Sequence, residues 1–478
     1  MSEELLNIVE LSRIRARDSI SDQKKKLNEQ YFTPERVAKI MADFFTTSRE
    51  KSLTVLDPCA GVGNLAAAVY QRGLENGETQ KFSIVERDNF LYKICIKNFR
   101  DVKNSEIFNA DFFDISHKIG SFDRIILNPP YAKLNLDSTL SVQISRKLGY
   151  TEPNLYSAFI SYCLKLLSVE GELVAIIPRS FCNGPTFKNF RKNLYDFFSF
   201  QEFYLFESRK IFSDSNVLQE LIIMKISRKK STHTKISHES VSGKLVEFYT
   251  SRHEIVFPND ESRVIHIPLA IGDKKILSAV SKFTNTLLQT GLRASTGKVV
   301  DFRCLNFLSH RKSSKRTNLL YQEDVIFSKV TQFSKRGNKP RFIANTHETQ
   351  GLLIPRNNYV LVRRISFKES PTKIIASPLL SSQFTEEVIG IDNHLNYIWG
   401  ESSIISSGIC IALTAYLSSK TIDLYFRRFS GHTQINAADL NSLPIPDLCH
   451  LEDFYKEHES MSLCAMIEIA DNYFFTTD

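Results

Sequence analysis

Residues 55–65 read VLDPCAGVGNL, and the parsing of that stretch decides the fold. An apolar run ends on Asp57, a proline follows, and Gly61 and Gly63 precede a helix-compatible sequence. That is the pattern of a buried strand, a glycine-relaxed turn and the start of a helix. Glycines in such a turn let a ligand approach the backbone at a helix N-terminus. The spacing differs from the dinucleotide GxGxxG, so the turn alone also reads as a tight connection with no ligand.

The same grammar recurs on both sides. Short β-rich runs at 53–57, 81–86, 105–111, 122–128, 171–178, 200–206 and 218–226 alternate with helical patterns. One of these, NLYSAFISYCLKLL (154–167), places Leu155, Phe159, Tyr162 and Leu166 on one face. Strands alternating with helices predict an α/β fold with a doubly wound, mostly parallel seven-stranded sheet. The last two runs lie close enough to pair as a hairpin at the sheet edge. The polar, basic stretch SRKKSTHTKISHES (227–240) reads as a linker. Beyond it, short β-like runs with helices near 274–291 and 404–420 predict a second, mixed α+β domain. The expected division is 1–230 and 240–478.

Ligands of open α/β sheets bind outside the carboxyl ends of the strands. Four successive strand ends deliver Asp57, Glu86, Asp111 (in NADFFD) and Asn128 (in FDRIILNPPY) to that edge. Glu86 follows the glycines at roughly the twenty-residue distance at which an acid can bind ribose hydroxyls. Asp111, with Phe112 beside it, can accept a hydrogen bond from an adenine amino group. Asn128-Pro129-Pro130-Tyr131 contains two residues without a backbone N–H, so it can neither continue a central strand nor enter a helix interior. It is a stiff loop that presents an amide, carbonyls and one aromatic ring.

Bulk composition narrows the function classes. The net charge of +8 permits a polyanionic partner without requiring one. The 35 Phe and 17 Tyr against a single Trp supply rings on which bases can stack, although most such rings are core. Eight cysteines with no CxxC pair argue against a zinc module or a disulfide framework, and no metal is expected. Acidic residues from position 3 and the lack of an apolar h-region argue against a secretory signal. The longest apolar stretch, IISSGICIALTAYL (404–417), is too short to span a bilayer. The expected home is the reducing cytoplasm, with no membrane partner.

DPCAGVGNL, the strand-two acid, NADFF and NPPY together resemble the S-adenosylmethionine-dependent DNA adenine-N6 methyltransferases. The order, with the cofactor motif before NPPY and a large region after it, is similar to the gamma arrangement of TaqI-type enzymes and type I modification subunits. The resemblance covers roughly residues 24–230. EQYFTPERVAKIM (29–41) is similar to the family's N-terminal cofactor motif, although Thr33-Pro34-Glu35 also reads as an N-cap and a proline-started helix. The resemblance implies S-adenosylmethionine as cofactor, bound by Tyr31, Phe32, Thr33, Pro34, Asp57, Ala60, Gly61, Gly63, Glu86, Asp111, Phe112 and Asn128. It implies that the Asn128 side chain and the Pro129 carbonyl accept the two N6 protons of adenine, with Pro130 stiffening the loop. A flipped base would be held by Tyr131 and by Phe212 of KIFSDSNVLQELIIMK (210–225), for which ordinary core is the alternative reading.

STGKVVDFR, YVLVRRISFKESP, IDNHLNYIW and SGHTQINAADLNSLPIP resemble recognition regions of PstI/BsuBI-type modification enzymes. The loops HRKSSKR (310–316) and SKRGNKPR (334–341) suit phosphate contact or plain solvation. The implied protein is the modification component of a restriction-modification system, acting on double-stranded DNA, with any cognate endonuclease a separate chain. Three rivals remain at this point. Protein-glutamine and rRNA amino-group methyltransferases share NPPY but usually carry a smaller, N-terminal appendage. A non-catalytic specificity subunit would not need the motifs intact. A fused nuclease would need more than the fewer than thirty residues before the cofactor motif.

Overall fold

The computed structural model describes residues 2–20, 32–48, 52–135, 137–206, 221–239, 244–331, 338–365, 372–429 and 434–476. Tyr31, Phe212 and residues 334–337 of the second basic loop lie outside them. The chain divides into two compact units, residues 1–182 with 186–255 and residues 256–478 with 183–185.

The first unit is built on β1 (Leu53–Asp57), β2 (Gln80–Glu86), β3 (Ser105–Asn109), β4 (Phe122–Leu127), β5 (Leu167–Pro178), β6 (Ser199–Leu205), β7 (Leu221–Ser227), β8 (His233–Glu239) and β9 (Leu245–Ser251). The sheet order is β3-β2-β1-β4-β5-β7-β6-β8-β9. β1 pairs in parallel with β2 and β4, and β7 runs antiparallel between β5 and β6. Central strands covered on both faces are apolar throughout rather than alternating. Ile125, Ile126 and Leu127 of β4 are accordingly all fully buried. The helices are α1 (Ser2–Ser19), α2 (Glu35–Asp43), α3 (Asn64–Glu75), α4 (Asn89–Phe99), α5 (Phe112–Ile115), α6 (Thr139–Leu148), α7 (Leu155–Lys165) and α8 (Lys188–Phe197).

The expected seven strands are β1–β7, and the anticipated hairpin is the β6–β7 pair. Two expectations need correction. Among the described residues the sheet has nine strands, and the stretch 227–240 is no linker, because β7 ends in it at Ser227 and β8 fills 233–239. Its polarity misleads because the polar side chains are paired within the sheet. Thr234 Oγ1 donates to the Phe200 carbonyl, Ser237 donates to Glu202 and Glu247, and Lys235 forms ion pairs with the same two acids. The first unit therefore runs to Ile255 rather than to residue 230.

The second unit is mixed α+β, as the sequence predicts. Strands β10 (Leu292–Thr296), β18 (Leu395–Gly400), β15 (Tyr359–Arg363) and β16 (Ala376–Leu379) form an antiparallel sheet in that order. A second sheet is ordered β11 (Leu308–Ser309), β13 (Phe342–Ala344), β12 (Arg316–Leu320), β17 (Val388–Ile391), β14 (Leu353–Pro355). The apolar run at 404–417 becomes the helix Ser407–Leu417, buried against the helices Leu448–His458 and Leu463–Phe475. The helix expected near 274–291 is Ile271–Ser281; the chain beyond it turns, and Thr286 bridges Pro444. No described helix is long and apolar enough to cross a membrane.

Candidate active site

The carboxyl edge of the sheet assembles the site one strand at a time. β1 ends on Asp57, which is fully buried. Its Oδ1 accepts from the Cys59 N–H at 3.3 Å, and its Oδ2 has no hydrogen-bond partner among the described residues. Burial pushes the carboxyl up to about 8, with the Cys59 N–H opposing and the Glu86 charge adding.

The turn after β1 reverses through Gly61 (φ +59°) and Gly63 (φ +96°), a backbone region that favours glycine. A Cβ on Gly63 would stand 2.5 Å from Phe99 Cε2, so the turn rests directly on α4. Gly61 instead faces open space, and its N–H donates to Glu86 Oε2 at 2.8 Å. Glu86, at the end of β2, also accepts the Asp88 N–H at 2.6 Å through Oε1. Burial raises Glu86 to about 7 against the pull of those two donors.

β3 stops at Asn109, and Asp111 becomes the N-cap of α5, accepting from Phe113 N at 3.0 Å. Arg87 Nη1 lies 3.6 Å from Asp111 Oδ2. Phe112 stacks on Phe159 of α7, with centroids 5.4 Å apart and planes 15° from parallel. An acid and an apolar ring pair thus stand side by side.

β4 ends at Leu127, and the next residue, Asn128, is held at both ends of its amide. Its Nδ2 donates to Thr33 Oγ1 at 2.9 Å, and its Oδ1 accepts from the Tyr131 hydroxyl at 2.8 Å. Tyr131 is buried, its hydroxyl also 3.4 Å from the Ile176 carbonyl and its ring edge-on to Tyr156. The loop is tied to the start of α7, because Asn154 Nδ2 donates to the Tyr131 carbonyl at 2.8 Å. Cys59 Sγ, 3.5 Å from the Asn128 carbonyl, joins the first and fourth strand-end loops.

These loops enclose a cavity of about 340 Å³. Among the residues expected from the sequence, Phe32, Gly61, Glu86, Asp111, Phe112, Asn128 and Pro130 line it. Thr33, Pro34, Asp57, Ala60, Gly63, Pro129 and Tyr131 belong to the same loops but not to the cavity wall. Pro34 precedes α2 as its N-cap residue, and the Ala60 N–H is spent on the Val85 carbonyl at 3.0 Å. Sequence reasoning missed the apolar wall of Leu91, Phe113 and Phe159, although Phe159 was already on the recognised apolar face of α7. It also missed the Thr33–Asn128–Tyr131 hydrogen-bond chain, for which no spacing rule exists.

The residues suit a nucleoside bearing positive charge nearby. Glu86 offers acceptors for ribose hydroxyls, Asp111 offers one for an exocyclic amine, and Phe112 with Phe159 gives an adenine-sized apolar surface. Asp57 is a buried carboxyl, one oxygen of which has no partner among the described residues, and a nearby cation would favour its ionised form. At the Asn128 end the wall changes from apolar groups to an amide.

Residues 52–212 match the family described as Eco57I restriction-modification methylase. The type II methyltransferase M.BsuBI of Bacillus subtilis is 32% identical over 466 residues, which cover 93% of this chain and 92% of that one. The type II methyltransferase M.PstI of Providencia stuartii is 32% identical over 474 residues, covering 94% and 93%. Among solved structures, the type IIL restriction-modification enzyme MmeI in complex with DNA shares the fold, with a TM-score of 0.53 at 11% identity. The match covers 98% of this chain and 72% of that one.

Proposed function

The chain belongs to the family of type II restriction-modification methyltransferases that includes M.BsuBI and M.PstI, and on that premise we propose that it methylates N6 of adenine in duplex DNA. It is a DNA methyltransferase whose cofactor is S-adenosylmethionine. The cofactor, when bound, supplies an electrophilic methyl group on a sulfonium. Glu86, Asp111 and the Phe112–Phe159 pair would hold its nucleoside, with residues 31–34 and the 57–63 turn around the rest.

The observation that carries the adenine reading is the Asn128 amide, fixed at the rim of the cofactor cavity. The amino nitrogen of adenine is a poor nucleophile because its lone pair is delocalised into the ring. Two acceptors that bind its protons favour the pyramidal nitrogen that attacks the methyl group. A carbonyl oxygen has two acceptor directions, so Asn128 Oδ1 can keep the Tyr131 hydroxyl and still accept one N6 proton. The Pro129 carbonyl, held by two successive prolines, would take the other. This is preorganised electrostatic stabilisation, with no general base required. A base inside a duplex cannot reach the amide, so the target must be flipped out, with Tyr131 and Phe212 as the proposed aromatic contacts.

Residues 256–478 would carry target recognition, and a separate endonuclease would cut the unmodified site. The test is product analysis. Duplex DNA incubated with the protein and S-adenosylmethionine should yield N6-methyladenine, and Asn128→Ala should slow transfer about a hundred- to a thousandfold while changing cofactor affinity far less. Methyl groups on cytosine N4, on RNA or on protein glutamine would refute the reading.

A further inference from the structure

The turns leaving β10 display two large apolar side chains that the core of the second unit does not use. Phe302, on the single 3₁₀ turn Asp301–Arg303, is 68% exposed, and Leu305, on the next turn Leu305–Phe307, is 66% exposed. The backbone beneath them is anchored. Val299 is fully buried, its N–H donates to the Ile391 carbonyl, and its own carbonyl accepts from Asn393 N. Cys304, between the two exposed residues, is buried. Buried Val299 and Cys304 thus anchor the segment that carries Phe302 and Leu305. Apolar side chains kept in water by an otherwise anchored segment mark a contact surface more readily than scattered exposure does.

Charge identifies the partner. From Lys298 to Arg316 the chain carries six Lys or Arg residues (298, 303, 311, 312, 315 and 316) against one acid, Asp301. Lys339 approaches that acid to 3.9 Å, and Lys312 is paired with Glu386 at 2.8 Å. The Arg303 guanidinium lies over the Phe302 ring, 5.5 Å from its centroid, and residues 310–315 are exposed throughout. A second copy of this surface would meet it with like charge. Duplex DNA is complementary, since it places phosphates around an apolar stack of base pairs.

We propose that Phe302 and Leu305 form an apolar wedge that enters a base step of bound DNA, while Lys298, Arg303 and the 310–316 loop take the flanking phosphates. The proposal rests on the DNA-methyltransferase reading and adds the residues that deform the duplex.

The experiment is a salt titration of full-length protein binding to a duplex that contains its methylated site, with 2-aminopurine placed at successive steps. Phe302→Ala should weaken binding about 5- to 150-fold, the range for loss of an aromatic side chain that stacks on a base, and Leu305→Ala should weaken it by less. The slope of log affinity against log salt should stay unchanged, because an apolar contact releases no counterions, whereas Arg311→Ala should lower it by about one. With wild-type protein one step should brighten on unstacking, and in Phe302→Ala that signal should be lost. Both wedge residues are exposed, so thermal melting of the variants should match wild type. If wild type binds and methylates the duplex but both alanine variants bind equally well, the wedge is wrong and the methyltransferase reading stands. If wild type fails to bind duplex DNA at all, the parent reading falls with it. A wild-type dimer that either variant dissolves, with DNA affinity unaltered, would make the pair a self-association surface and overturn the proposal.

Discussion

Glu86 titrates near pH 7 because burial raises it against the Gly61 and Asp88 N–H donors, so the cofactor's ribose would meet an acid or a carboxylate depending on pH. Ribose hydroxyls need acceptors, and only the ionised form offers its oxygens without a competing proton. With a pKa of about 7, roughly one tenth of Glu86 is ionised at pH 6 and roughly nine tenths at pH 8. If binding requires the carboxylate, affinity should fall about tenfold from pH 8 to pH 6, equivalent to about 1.4 kcal/mol. Glu86→Gln should remove that slope and weaken binding at pH 8 by about 1.5–3 kcal/mol, the usual worth of a hydrogen bond to a charged group.

The apo protein should respond in the opposite sense. Both carboxyls hold protons in the folded state that the unfolded chain releases, so apo stability should decrease as pH rises from the ordinary carboxylate range to about 8. The rise in melting temperature on adding cofactor should therefore be larger at pH 8 than at pH 6. Titration calorimetry in two buffers of different ionisation enthalpy would measure the proton release directly, about half a proton from Glu86 at pH 7. Flat affinity between pH 6 and 8, or a tenfold slope that persists in Glu86→Gln, would refute this account of the ribose site.

Tyr131→Phe keeps the ring but removes the hydroxyl that holds Asn128 Oδ1; single-turnover rates should fall about tenfold, with Tyr131→Ala losing considerably more. Equal rates for Phe and wild type would show that the hydroxyl does not orient the amide. Gly63→Ala places a Cβ 2.5 Å from the Phe99 ring in a left-handed backbone conformation, so the midpoint of denaturant unfolding should drop by the equivalent of about 2–4 kcal/mol. Exchanging residues 256–478 for those of a relative that methylates a different sequence should move the methylated site, as read by methylation-sensitive sequencing. An active hybrid that keeps the original site would place specificity elsewhere.

Seven strands were legible in the chain because the central ones, such as β1, β4 and β5, are buried and largely apolar, and strand ends are punctuated by Gly, Pro and acids. That pattern is local, so it survives without knowledge of the packing. β8 was not legible, because its lysine and hydroxyl side chains are stabilised by acids on neighbouring strands rather than by apolar burial. The cavity residues Glu86, Asp111 and Asn128 could be named from their positions, but their states could not. Burial that raises Glu86 and Asp57, and the Thr33 and Tyr131 hydroxyls that pin Asn128, join residues as many as 95 positions apart. The exposure of Phe302 and Leu305 belongs to the same class, since an apolar residue in a sequence reads as core until the anchoring of its neighbours turns it outward. Periodicity and punctuation act along the chain and can be read there, whereas desolvation, hydrogen-bond partners and exposure depend on distant segments and arise only with the tertiary structure.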